Sequence, residues 1–492
     1  VSATASVEAP RAWWLARWGE RLNPLVVKEV RQGLRSRVFW LSFGLMLLAC
    51  FIISLAAYVA TLENSLRPQG RTYFLAFFFC LGVVHFFLLP YGAYRSLSRE
   101  REEETWVLLL LTGLGPRRIL RGKVASCLVQ GGLYASAVGP FLLFSYYLNG
   151  IDLPTLLLVL GLGACWFLFL TVVAVCAATL AEGRMGRGFA HLALLGALGL
   201  GLVYGQTIAY VLCEQGFRSL STDEEVLDFA LGSLWLMLTC AWLLFETAAA
   251  RLSLPTENYS WGPRRALVVQ TVLSVLVVLC CWWDSSSRRM AWGVSVLGCG
   301  LLTLCGLVLA TDLDGQARSL RAATRPWSLL RPGALRGFRL AVLLLLFWTA
   351  ACGVLFVLST RHRSIIDLPG VIALPLYALL YLSLPLWVAR LPRSPEFSSP
   401  ALVRLLFFVI GGLGLLVSSL LSFVLWREEE GHTFLSLLNP FLGVICFAYG
   451  DPPLDEPVLA WRLLGCVGLL AALSVFLADR SLAAREREVH AA

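Results

Sequence analysis

Long apolar runs broken by short polar stretches dominate the chain. A helix needs roughly 17 to 25 mostly apolar residues to cross a bilayer, and runs of that kind fall at 38–60, 72–92, 124–148, 153–181, 189–212, 226–249, 266–283, 290–311, 340–358, 369–389, 405–425 and 459–478. The pattern predicts an all-α integral membrane protein of about twelve spans, with no polar block between them long enough to fold as a soluble domain. A further apolar stretch, 433–449, is short, and its Asn439-Pro440 pair would interrupt a lipid-exposed helix. It reads as a re-entrant or interfacial segment. The spans divide six and six around the loop Arg251 to Arg265. The predicted organisation is a cytoplasmic N-terminus (1–37), a six-span core (38–249), a second six-span region (250–478) and a cytoplasmic tail (479–492).

Composition strengthens the membrane reading: 58% of residues are hydrophobic and 14% charged, whereas soluble chains are roughly half apolar and a quarter charged. The net charge of +9 does not mark a nucleic-acid binder, because the arginines sit in short loops beside apolar runs instead of forming a basic domain. They report orientation instead. Twelve spans with both termini inside place most of the 40 basic residues in cytoplasmic segments, as the positive-inside rule requires. A thirteenth span would put Arg480, Arg485 and Arg487 outside and Asp451, Asp455 and Glu456 inside. The 14 cysteines lie mostly within apolar runs and form no CxxC, and the five histidines are scattered with no HExxH, so no metal site is expected. No signal peptide is expected either, since the first 37 residues are basic and Trp-rich and the first apolar run is too long for one.

Two polar segments carry more information than a loop needs. In residues 23–40, NPLVVKEVRQGLRSRVFW, Asn23 can cap a helix that opens on Pro24. Val26, Val30 and Leu34 then recur on one side, with Lys28, Arg31 and Arg35 on another. Such a helix suits the membrane interface, with Trp14, Trp18 and Leu22 extending its apolar side. In residues 99–126, REREEETWVLLLLTGLGPRRILRGKVAS, an acidic start is followed by an apolar run, a Gly-Pro turn and a basic end. Glu102, Glu103 and Glu104 suit a helix N-terminus, and the six-residue apolar run is too short to cross a bilayer. A helix there would hide that side against the membrane face or a partner.

Together these segments resemble the permease family of type-two ABC transporters. Asn23, Pro24, Lys28, Glu29 and Arg31 match that family's interfacial elbow helix. Glu102, Glu103, Thr105, Leu110, Leu111, Thr112, Pro116, Arg117, Gly122 and Lys123 match its coupling loop, here 93–123, which follows the second span and docks on the ATP-binding subunit. Lys28 and Lys123, the only lysines among the 40 basic residues, both fall in these patterns. The resemblance covers mainly residues 23 to about 250. It implies an export permease of a bacterial inner membrane, driven by an ABC ATP-binding subunit that holds ATP and Mg, and completed by a second permease copy or a paralogous permease. Glu104 stands where the family usually has Gly, and the second six spans exceed its usual core.

No cofactor is expected in the chain itself. GLGPRRILRGKVAS fails as a phosphate loop, since six residues separate Gly115 from Gly122 instead of four and Val124 replaces the hydroxyl that must reach magnesium. No nucleophile elbow or catalytic trio can be assembled, so an enzyme is not predicted. His85, His191, Gln206, Asp228 and Glu246 fall in or near spans. Such groups line a transport pathway or form interhelical hydrogen bonds; His85, His191 and Glu246 are the pathway candidates. A twelve-span secondary transporter and a non-transporting membrane scaffold remain as alternatives of other classes.

Overall fold

The computed structural model describes residues 24–63, 69–103, 115–180, 183–222, 224–253, 258–284, 288–312, 328–358, 368–391, 399–425, 437–449 and 457–491. Every regular element among them is a helix, as the apolar solvent requires: a backbone group in hydrocarbon finds its partner only within its own helix. Eleven helices among the described residues are long and apolar enough to span a membrane. The chain is therefore a multi-span integral membrane protein. It forms two compact units, Val1–Ser253 and Leu254–Ala492.

The first unit begins with α1 (Pro24–Leu34), which packs on α4, followed by α2 (Arg37–Glu63), α3 (Gly70–Glu102), α4 (Pro116–Tyr147), α5 (Leu153–Leu180), α6 (Gly183–Thr222) and α7 (Glu224–Leu252). Among the described side chains of α2, Phe39, Met46, Cys50 and Ala57 are buried, spaced along one stripe, while Leu41, Leu45, Leu48 and Phe51 face outward. An apolar residue on the outer face is what lipid demands, so hydropathy marks the span and the spacing of the buried residues marks the inner stripe. The core joins α3, α4 and α5 through Phe74, Phe77, Leu97, Leu120, Tyr134 and Phe167. Within α3, residues Val83–Leu88 widen into a π-helical stretch. This turn carries His85, whose Nε2 lies 3.0 Å from the Gly131 carbonyl and whose ring stacks on Phe167 at 4.6 Å. Gly131 has to be Gly, because a Cβ there would sit 2.4 Å from Phe167. α6 is interrupted at Gly216, which takes φ of 71°, a conformation open to glycine and strained for other residues.

The second unit comprises α8 (Trp261–Asp284), α9 (Arg288–Ala310), α10 (Ala334–Leu358), α11 (Leu368–Val388), α12 (Pro400–Leu425), α13 (Pro440–Tyr449) and α14 (Pro457–Ala491). The apolar part of α9, Ser295–Ala310, is shorter than a full span. α13 is a ten-residue helix, and its Val444 and Phe447 pack with Ala373 and Tyr377 of α11 and Leu464 of α14. Asn439 and Pro440 start this helix and do not break it: the Asn439 side chain accepts hydrogen bonds from the backbone N–H groups of Phe441 (2.9 Å) and Leu442 (3.2 Å), an N-cap followed by proline at the first helical position.

One end of this unit is held by buried charge. Arg264 is fully buried and donates to the carbonyls of Leu329, Arg331 and Gly333 and to Asp312 (3.1 Å). Asp312 also accepts from Ser260 (2.9 Å) and Tyr259 (3.3 Å). Burial and the facing Asp312 carboxylate push the Tyr259 phenol above its usual range. At the same end Arg336 meets Glu486 (2.6 Å), Arg339 meets Asp479 (2.7 Å), Arg390 meets Glu488 (3.0 Å) and Arg404 donates to Thr311 (2.9 Å). These pairs carry α14 well past its apolar stretch.

Candidate functional site: a polar layer around Lys123

The site forms where three helices outrun their apolar segments. α3 continues to Glu102, so Ser96 and Glu100 fall one turn apart on one face. α4 begins at Pro116, its first turn pre-set by proline after an extended Gly115, which places Lys123 two turns into the helix. α1 lies along α4 and brings Glu29 to the same point. Gly33 makes this approach close, since a Cβ there would stand 2.5 Å from the Gln130 side chain.

Lys123 is buried, its side chain 5% exposed. Its ammonium donates to Glu29 (3.2 Å), Ser96 (2.9 Å) and Glu100 (2.9 Å). An ammonium has three protons, and here each has an oxygen. Ser96 in turn donates to the second oxygen of Glu29 (3.4 Å). A guanidinium spreads its donors over a planar fork, whereas these three acceptors converge on one nitrogen. That is a physical reason for lysine at 123 in a chain whose basic residues are otherwise almost all arginine.

Around this centre the layer continues. Arg117 directs Nε (3.0 Å) and Nη2 (2.7 Å) to one oxygen of the buried Glu246, joining the start of α4 to the end of α7. Arg101 donates to the Ala178 carbonyl (2.8 Å) near the end of α5, satisfying an acceptor that a helix terminus leaves open. Arg187 of α6 pairs with Glu102 (3.2 Å). The layer thus engages α1, α3, α4, α5, α6 and α7 at one end of the unit.

The sequence-predicted residues distribute as follows. Glu29 and Lys123 meet, although 94 residues apart. Lys28 and Arg31 are exposed on α1, while Val26, Val30 and Leu34 are partly covered, and Pro24 opens the helix. Gly122 is buried in α4. The expectation that Glu102 and Glu103 start a helix is corrected. Glu102 is the last residue of α3 and Glu103 its C-cap, because Arg99 and Arg101 in the last turn suit a C-terminus and Arg187 offsets Glu102. Both described ends of 93–123 are likewise helical, belonging to α3 and α4. Asn23, Thr105, Leu110, Leu111 and Thr112 lie outside the described residues, as does Glu104. Glu246 belongs with Arg117 in the polar layer and not beside His85. His191 packs edge-on to Tyr91 at 5.5 Å, and Gln206 donates to the Leu75 carbonyl (3.0 Å). Ser96 and Glu100 were missed from sequence; their i, i+4 spacing just beyond an apolar run was the available signal. Among the described residues no group of His, Cys, Asp and Glu could hold a metal. Comparison of the chain with protein-family models, with curated proteins and with solved structures found no match.

Proposed function

We propose that the chain is the membrane-embedded permease subunit of an ABC-type exporter in a bacterial inner membrane. ATP and Mg are bound by a separate ATP-binding subunit, and a second permease copy or a paralogous permease completes the transporter. The observation that supports this reading is the Lys123 cluster. It draws one residue from each of the two segments that resemble permease motifs, Glu29 and Lys123, into one buried contact, and ties both to the end of α3 through Glu100. A soluble motor can drive membrane helices only through a surface fixed to them. The segment 104–114 is anchored on both sides by this layer, through Arg101 and Glu102 before it and Arg117 and Lys123 after it.

The polar contacts of the second unit also favour an even number of crossings between Arg404 and Asp479. Groups that hydrogen-bond lie at the same depth. Arg404, at the start of α12, meets Thr311 after α9, and Asp479, near the end of the apolar part of α14, meets Arg339 at the start of α10. Asp312 and the carbonyls preceding α10 are joined by Arg264, so Arg404 and Asp479 share one end of the second unit. An even number of crossings separates them, which α12 and α14 supply without α13.

The test is purification of the tagged full chain in mild detergent. A protein carrying a complete phosphate-binding loop should copurify, and Glu103→Lys should weaken its retention while leaving insertion of the chain intact. Retention of no such protein, or retention indifferent to charge in 102–118, would overturn the coupling role.

A further inference from the structure

A laterally open cavity of about 290 Å³ lies between α3, α4 and α5. Its wall is apolar apart from His85 at the inner end, and it runs along α5 from Leu153 to Ala164. At 1.5 Å per residue that is about 16 Å, close to one leaflet of a hydrocarbon core of about 30 Å. The mouth coincides with the end of the helices: Leu153 begins α5, and the adjoining turn at Asn149 and Gly150 takes positive φ and binds the first residue of α3, where the Gly70 N–H donates to the Asn149 carbonyl (2.7 Å). The rim residues Leu143 and Leu157 are more than half exposed, so the opening faces lipid. Room is left by the absence of side chains, since a Cβ on Gly139 would meet open space.

We propose that this groove seats one acyl chain of a phospholipid from the leaflet on the Asn149 side. Depth and lining set the occupant. A helix from a second copy is about 10 to 12 Å across with its side chains and does not enter a space of this volume, whereas a polymethylene chain does. Water is disfavoured by a wall with a single polar side chain, and His85 has a ring nitrogen on the Gly131 carbonyl. The lipid stays in register with the protein because its tail lies below the rim, between helices, instead of against a convex surface.

The probe is a phosphatidylethanolamine carrying a photoactivatable diazirine in its acyl chain, incorporated in vesicles with the full-length protein. Labelling should concentrate on Leu142, Leu143, Leu156 and Leu157, and one lipid per chain should survive detergent extraction in native mass spectrometry. Gly139→Leu fills the groove and should lower labelling there by about tenfold, the equivalent of about 1.4 kcal/mol, while labelling of the outward-facing Leu200 on α6 is unchanged. Gly132→Leu is the matched control: it lies on the same helix, also faces open space and is not part of the groove, so it should keep both the label and the lipid. Equal labelling in all three proteins would overturn the proposal. So would groove labelling no stronger than that of Leu200, or dimer cross-links through a cysteine placed at Leu157, which would put a second copy over the opening.

Discussion

At the scale of single residues, the polar layer shows what a charge inside an apolar protein must satisfy. Lys123 is tolerated because every proton of its ammonium is used. Removing it leaves Glu29 and Glu100 close together without their cation. One-sided truncation of a buried ion pair costs about 3–5 kcal/mol, and the partial exposure of both carboxylates places this case at the low end, so Lys123→Met should lower the thermal unfolding midpoint in detergent. Lys123→Arg keeps the charge and should recover only part of the loss, while Glu100→Gln in the Lys123→Met background should recover more by removing the unpaired carboxylate. Equal midpoints for the parent and Lys123→Met would mean that the cluster contributes nothing. Half of this arrangement was legible: a rare lysine in an arginine-rich chain points to Lys123, and Glu29 stands in a motif. Arg264 was not legible. From sequence it is one more arginine beside a span, and only the fold brings three backbone carbonyls to it.

At the scale of elements, hydropathy locates apolar helix but stops where polarity begins. The ends of α3, α4 and α14 were therefore placed short. Residues Arg99, Arg101 and Glu102 look like loop in a transfer scale, yet they are helical, and Arg101 and Glu102 find partners on neighbouring helices. The same applies to Asp479, Glu486 and Glu488 of α14. α13 reverses the problem. It is apolar enough to resemble a span but, at ten residues, about 15 Å long, half of a bilayer core. Its start is fixed by the Asn439 cap and by Tyr377 and Tyr381, which donate to the Leu437 and Leu438 carbonyls (2.5 and 2.6 Å). The expected outcome is that 426–436 and 451–456 face the same side. Single cysteines placed at Glu429 and Asp455 should react with a membrane-impermeant maleimide from that side, and a cysteine at Arg485 from the opposite side. Reaction of Glu429 and Asp455 from opposite sides would make α13 a crossing and exclude the even count.

At the scale of the whole molecule, each unit has most of the ion pairs among its described residues towards one end of its helices, with Arg71–Glu214 at the other end of the first, and basic residues outnumber acidic ones across the chain. Under the proposed function, the positive-inside rule puts the ends rich in arginine on the side of the ATP-binding partner. A phosphate loop needs a run of backbone N–H groups around the phosphates, a lysine free to reach them and a hydroxyl for magnesium. Lys123 satisfies none of this: it sits inside a regular helix with all three protons committed, and Val124 follows it. In the proposed function, energy for transport enters through a second protein, and that division of labour has a direct consequence. The purified chain in lipid vesicles should hydrolyse no ATP, and hydrolysis should appear when the ATP-binding subunit is added back. With Lys123→Met, that partner should still hydrolyse ATP while transport falls, because the layer that links the docking segment to α1, α3 and α4 has lost its cation. Hydrolysis that persists after every copurifying protein is removed would overturn the division, and transport unaffected by Lys123→Met would remove the polar layer from the coupling route.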